Sequence, residues 1–248
     1  MKQLFFYILI LSGFAVNAQH ANFVKQGRIE FEKKQNMHAM MDAMWSGEDN
    51  SWKELQKKET PKFRTDYFDL YFSGNTTFYK PGKENPDNMK GRESPADQNI
   101  VYTNLQQQQS TAQKKVFEQM YLVSDSVRNI RWKITDETRN IAGFDCRRAN
   151  AIIMDSIYVV AFYTDMIVTP GGPESFTGLP GMILGIALPH EHVTWFATKV
   201  LVDDVKPDTL KAPAKGKKVN NTELKDNVGK VMKSWGNFGS VFMKHILL

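Results

Sequence analysis

Pairs of strand-like segments joined by only a few turn-forming residues recur along this chain. Residues 65–80 read as a hairpin: Tyr67, Phe68, Leu70, Tyr71 and Phe72 form one arm, Thr76 to Tyr79 the other, and Ser73-Gly74-Asn75 the turn. Residues 145–154 and 157–164 flank Asp155-Ser156, and residues 181–188 and 193–202 flank Pro189-His190-Glu191-His192. Strands joined this tightly must run antiparallel. Residues 27–32 alternate polar and apolar side chains, and 99–103, 116–123 and 131–134 add shorter strand-like runs, about nine strands in all. No strand–helix–strand rhythm occurs, which argues against a parallel nucleotide-binding sheet. The expected fold is mainly β: a single curved antiparallel sheet or half-barrel.

Two segments break the pattern. Residues 35–57 are Met-rich in their first half, and Met37, Met40, Met41 and Met44 fall on one side of a helix, predicting a helical insertion near the N-terminus. Residues 203–218 read as a Lys/Pro/Ala/Gly linker. Residues 221–248 open on a cap-like Asn-Thr-Glu, and Leu224, Val228, Val231 and Met232 have helical spacing. Gly236 and Gly239 weaken the end of this segment, predicting a C-terminal helix or tail. Residues 81–97 read as a polar loop and 106–109 as a polar connection.

The N-terminus reads as an export signal. Lys2 is followed by an apolar run of thirteen residues, Leu4 to Val16, and a small-residue cleavage site, Val16-Asn17-Ala18. Cleavage after Ala18 leaves Gln19 first, and the run is shorter than the roughly 20 residues that span a bilayer. The expected organisation is a signal peptide at 1–18, a β domain at 19–204 and a basic linker with helix or tail at 205–248, with no transmembrane anchor in the mature chain. The location implied is the periplasm or otherwise outside the cell. The lone cysteine, Cys146, cannot close an intramolecular disulfide and reads as a buried strand residue.

The charge is uneven. Residues 206–248 hold nine Lys and three acidic residues, so a basic end follows a near-neutral body. Such a segment suits acidic surfaces or anionic lipid headgroups, and the alternative, which the residues favour, is a solvated face. It lacks Arg, and its few aromatics lie beyond most of the Lys, a poor match to a nucleic-acid surface.

Several chemistries were weighed against the residues. The Gly/Pro-rich run 171–181 lacks the Lys-Ser/Thr of a phosphate loop, and Ser175 lacks the setting of a nucleophile elbow. It reads as a structural corner, with Gly178, Leu179, Pro180 and Gly181 its defining residues. Met37, His38, Met41 and Met44 offer thioethers and an imidazole of the kind that suits Cu(I), and His190 and His192 form a His-x-His pair. Their alternative roles are core packing and turn residues. The carboxylates Asp165, Glu174, Asp203 and Asp204 lack a spacing that pairs them. No H-E-x-x-H, C-x-x-C or Ser/His/Asp set is present, and no cofactor is implied.

The run Gly178-Leu179-Pro180-Gly181-Met182-Ile183 resembles the hallmark of the GLPGLI family (Porph_ging domain) of exported bacterial proteins, with Met182 where that family usually has Leu. Trp132-Lys133-Ile134, Glu137-Thr138, Ile141-Ala142-Gly143-Phe144-Asp145-Cys146 before Arg147-Arg148-Ala149, Phe162-Tyr163-Thr164 and Gly172-Pro173 extend the resemblance over roughly residues 27–202. It implies Bacteroidota-type bacteria, an envelope location and a link to outer-membrane transport. The order of elements also resembles the half-barrel of envelope lipoprotein carriers and sensors, an analogy of fold alone. The leading functional expectation is a non-catalytic binding or assembly module for an envelope protein, peptide or lipid. The alternatives are copper handling through the Met/His segment and a hydrolase whose site the sequence does not reveal.

Overall fold

The computed structural model describes residues 23–46, 50–88 and 97–248. The export-signal expectation and part of the 81–97 loop lie outside these residues. The strands are β1 (Gln26–Asn36), β2 (Phe63–Ser73), β3 (Thr76–Pro81), β4 (Ile100–Asn104), β5 (Gln109–Val116), β6 (Gln119–Ser126), β7 (Lys133–Ile141), β8 (Phe144–Ile153), β9 (Ile157–Thr164), β10 (Met182–Leu188), β11 (Val193–Leu201) and β12 (Lys217–Val219). They form one twelve-stranded sheet in the order β12-β6-β5-β4-β3-β2-β1-β11-β10-β9-β8-β7. All pairs are antiparallel except β12 on β6, which is parallel. β12 lies far from β6 in sequence, so their pairing is free to be parallel, whereas hairpins such as β2–β3 and β8–β9 must be antiparallel.

One face of the sheet is covered. Along β1, Ile29, Phe31, Lys33 and Gln35 are buried while their neighbours are not, the period-two signature of a strand with one face inward. The covering layer comes from α1 (Met37–Met44), α3 (Asn221–Met232), α4 (Gly236–Leu247) and the 165–181 loop. Side chains from strands three positions apart meet on this face: Trp195 of β11 adjoins Tyr79 of β3. Flat strands that far apart lie about 14 Å from one another, so the sheet curls inward.

The helices start where their sequences cap them. Asn36 accepts from the Ala39 amide at the head of α1. Asn220 and Glu223 form a reciprocal capping box at the head of α3. The single helix expected over 35–57 is instead the end of β1, then α1, then α2 (Asn50–Glu59). Pairing of β1 with both β2 and β11 through Gln35 holds those residues extended. The C-terminal segment is no loose tail, since α4 begins at Gly236 and buries Gly239, His245 and Ile246. Gly239 is needed where it stands, because a Cβ there would lie 2.5 Å from the Met232 carbonyl oxygen. The strand expected at 116–123 straddles a turn. Phe117-Glu118 reverses the chain between β5 and β6, and β5 begins at Gln109, inside the expected polar connection. The strand read at 131–134 begins two residues later and runs on to Ile141 as β7.

Candidate functional site

Strand periodicity directs an unusual set of polar side chains inward. Lys33 (β1), Tyr79 (β3), Lys114 (β5) and Trp195 (β11) are buried on the covered face, with Asp97 and Asn99 ahead of β4, Glu174 on the 165–181 loop and His245 on α4. The Lys33 ammonium lies 2.9 Å from Asp97 Oδ1 and 5.5 Å from the Trp195 ring centroid. Arg64 approaches the other Asp97 oxygen at 3.1 Å. Asn99 Nδ2 donates to Glu174 Oε2 at 3.0 Å. Among the described residues, Glu174 Oε1, Tyr79 OH, Trp195 Nε1 and His245 Nε2 meet no hydrogen-bond partner, although the phenol and indole face each other.

Burial governs the protonation of this interior. It raises the Glu174 carboxyl, with Lys33 and Lys114 pulling the other way. It lowers Lys114 to about 8 and His245 to about 3, the latter helped by the Lys33 charge. These groups anchor the covering layer. Three successive carbonyls at the end of α4 and beyond accept from the body of the protein: Ile246 from Lys114 Nζ, Leu247 from Arg128 and Leu248 from the Ser175 hydroxyl. A helix leaves such carbonyls unpaired, and here the sheet and loop satisfy them. Lys33, Glu174 and His245 are each about 2% exposed or less, so the constellation is sealed beneath α4.

The 178–181 corner is part of the same plug. Leu179 is 2% exposed and belongs to the core with Ile167 and Phe176. The Trp132 indole donates to the Thr177 carbonyl at 2.8 Å, and Ile183 N to the Gly171 carbonyl at 2.8 Å. Gly178 (φ +91) and Gly181 (φ +142) adopt backbone conformations that L side chains rarely take, and a Cβ on Gly181 would lie 2.1 Å from the Thr164 carbonyl oxygen.

A second constellation lies on the surface. Trp45 at the end of α1 packs edge-on against Trp52 of α2, ring centroids 4.9 Å apart, and 6.4 Å from Phe238 of α4. Phe238 stacks on Phe242 and lies 5.8 Å from Trp235, which meets Phe117 of the β5–β6 turn at 5.3 Å. Trp52 is 53%, Phe117 46% and Trp235 38% exposed. Phe117 has φ 55, a left-handed conformation that costs a bulky residue roughly 1–2 kcal/mol. Gly is the usual residue at the first central position of a two-residue turn with positive φ there alone. The structure also contains cavities of about 40, 200, 550 and 590 Å³. None of the four is lined by Trp45, Trp52, Phe117, Trp235 or Phe238.

The expected metal candidates are dispersed in role. His38 Nε2 hydrogen-bonds the Thr60 carbonyl at 2.8 Å, Met41 and Met44 are buried in the covering layer, and Met37 lines the 200 Å³ cavity. His190 is exposed beside Tyr158, whereas His192 takes φ 55 and its carbonyl accepts from Asn36 N at the head of α1. No group of three or more His, Cys, Asp or Glu converges in metal-binding geometry among the described residues. Of the four carboxylates weighed, Asp165, Asp203 and Asp204 are exposed, and Glu174 alone joins the interior. Cys146 is buried, and its thiol is pushed up to about 12 by burial. Sequence reasoning missed both constellations. Lys33 was detectable, being an inward residue on a strand whose alternation was legible.

The fold and its surface define a class: a curled antiparallel sheet plugged by its own loop and C-terminal helix, with an aromatic face outside. Residues 152–185 match the family model described as "Protein of unknown function (Porph_ging)". That is the GLPGLI-type family which the 178–183 string resembles. No curated protein matches the sequence. Among solved structures the chain is similar to PNGF-II in space groups P21 and C2, with TM-scores of 0.54 and 0.53 and 14% identity in each case. The similarity covers 82% of this chain but only 33% and 32% of those. The chain thus spans about a third of the length of the solved structures it matches, and at that identity the likeness concerns the fold alone.

Proposed function

We propose that this protein is a non-catalytic binding or assembly module of the cell envelope, exported by its N-terminal segment and working in the periplasm or beyond. The observation that carries this reading is the aromatic face. It is built from α1, α2, α4 and the β5–β6 turn, and it includes a strained, exposed Phe117. Large exposed apolar patches mark interaction sites in soluble proteins. The buried polar constellation supports the same reading, because its groups seat α4 and the loop and are sealed from any substrate in this conformation. Among the described residues no helix is long and apolar enough to cross a membrane.

The test is site-specific photocrosslinking in the expressing cell. Crosslinkers at Phe117 and Trp235 are expected to give discrete adducts. A crosslinker at Ile152, which is 66% exposed and outside the aromatic face, is expected to give none. Absence of adducts at the first two positions, or equal adducts at all three, would count against the proposal.

A further inference from the structure

Resting on that reading, we infer that the aromatic face docks on an anionic lipid surface. The rings of this face line none of the four cavities described above. The face is a broad patch with two indoles and a phenyl ring held outward. Trp is the side chain enriched at membrane–water interfaces, because its ring is apolar and its N–H is polar. The charges nearby are of the matching sign. Lys115 lies two residues before Phe117, and Lys230 and Lys233 lie just before Trp235, all on the solvent side. From residue 221 onward the chain holds Lys225, Lys230, Lys233 and Lys244 against Glu223 and Asp226. Exposed Glu54 and Glu59 and the Asp42 that binds Lys53 and Lys57 temper the α2 side, and Glu118 beside Phe117 is a single acid against Lys115, Lys230 and Lys233. The headgroup contacts therefore fall to the α3–α4 side, with Trp52 and Leu55 of α2 resting on the apolar boundary. Interfacial association by an apolar face with Lys around it scales with buried apolar area plus attraction to anionic headgroups. The rings are set by tertiary packing across four elements, so the face is presented ready-made.

Flotation of the mature protein with vesicles tests this. One set contains equal parts phosphatidylcholine and phosphatidylglycerol, the other phosphatidylcholine alone. Wild type is expected to float with the anionic vesicles and to stay behind with the neutral ones, and to be released by high salt. Trp52→Ala with Trp235→Ala is expected to lower the partition coefficient by about tenfold or more. Lys230→Gln with Lys233→Gln is expected to lower it on anionic vesicles. All four positions are exposed, and an unchanged thermal midpoint confirms that each variant is folded. Failure of wild type to float with either vesicle, equal flotation with both, or full flotation of the double Trp variant would each overturn the lipid assignment. If vesicle binding fails while Phe117 and Trp235 still crosslink to a protein in cells, the binding-module reading stands and the lipid surface is wrong.

Discussion

Replacing Gly181 by Ala tests the corner that closes the plug. Gly181 has φ +142, and an added Cβ would lie 2.1 Å from the Thr164 carbonyl oxygen and 2.8 Å from its carbon. Thr164 ends β9 and pairs with Met182, the first residue of β10. Relief of the contact therefore requires movement of backbone, more than 1 Å judged against an ordinary contact of 3.4 Å or longer. The backbone conformation alone costs on the order of 1–3 kcal/mol. The loss of chain entropy in the unfolded state returns about 0.4–1 kcal/mol. With displacement of the β9–β10 end added, the expected loss is roughly 3–5 kcal/mol, in the range of mutations that break a special backbone position. Gly178→Ala is the internal control. Gly178 has φ +91, but its added Cβ meets only the Trp132 indole, at 3.7 Å, so the loss is roughly 1–2 kcal/mol. Leu179→Ala removes a core side chain and should cost about 2–5 kcal/mol. Urea denaturation with equal slopes for all variants measures the series. A Gly181→Ala protein as stable as wild type, or less affected than Gly178→Ala, would refute the steric argument.

Four further expectations concern the rest of the molecule. His245 is held neutral, its pKa lowered from 6.5 to about 3 by burial. Between those values the unfolded chain binds a proton that the folded one does not. Stability should therefore fall as pH drops through that window, by up to roughly 4 kcal/mol, and His245→Leu should flatten the thermal midpoint against pH there. Lys33→Met removes the ammonium that pairs with Asp97 in a buried site, and equilibrium denaturation should show a loss of about 3 kcal/mol. Phe117→Asn puts a residue tolerant of φ 55 at the turn tip; denaturation should show stability unchanged or raised by about 1 kcal/mol, with crosslinking from the neighbouring Trp235 position reduced. Dialysis against a chelator should leave the thermal midpoint unchanged in calorimetry, because the fold is closed by its own loop and helices.

The hairpins were legible because their arms alternate and their turns hold Gly, Asn, Asp or Pro, as in β2–β3, β8–β9 and β10–β11. The cap of α3 was legible for a similar local reason. β5 was not, since its inward residues are Ala112, Lys114 and Val116, and a buried Lys gives no apolar signal. Phe117 misled in the opposite direction, an apolar residue standing in a turn where strand propensity predicts continuation. The aromatic face depends on contacts such as Trp45 with Phe238 and Phe117 with Trp235, which lie more than a hundred residues apart in the chain. The interior polar set likewise joins Lys33 to Asp97 and Asn99 to Glu174. Periodicity reports which way a side chain faces within its own strand, and it carries no information about what sits opposite.

The position of β1 sets the order in which this sheet can be assembled. Strands β1 to β6 each pair with a neighbour in sequence, and so do β7 to β11. Two meanders can therefore form from local contacts. Within the sheet they join along the seam where Arg28 pairs with Leu201 and Gln35 with Val193. A ribbon synthesised from its N-terminus has no second partner for β1 until that late strand has been released. Closing so long a loop is slow compared with making a hairpin. For a chain exported as proposed above, the seam closes only after β11 has crossed.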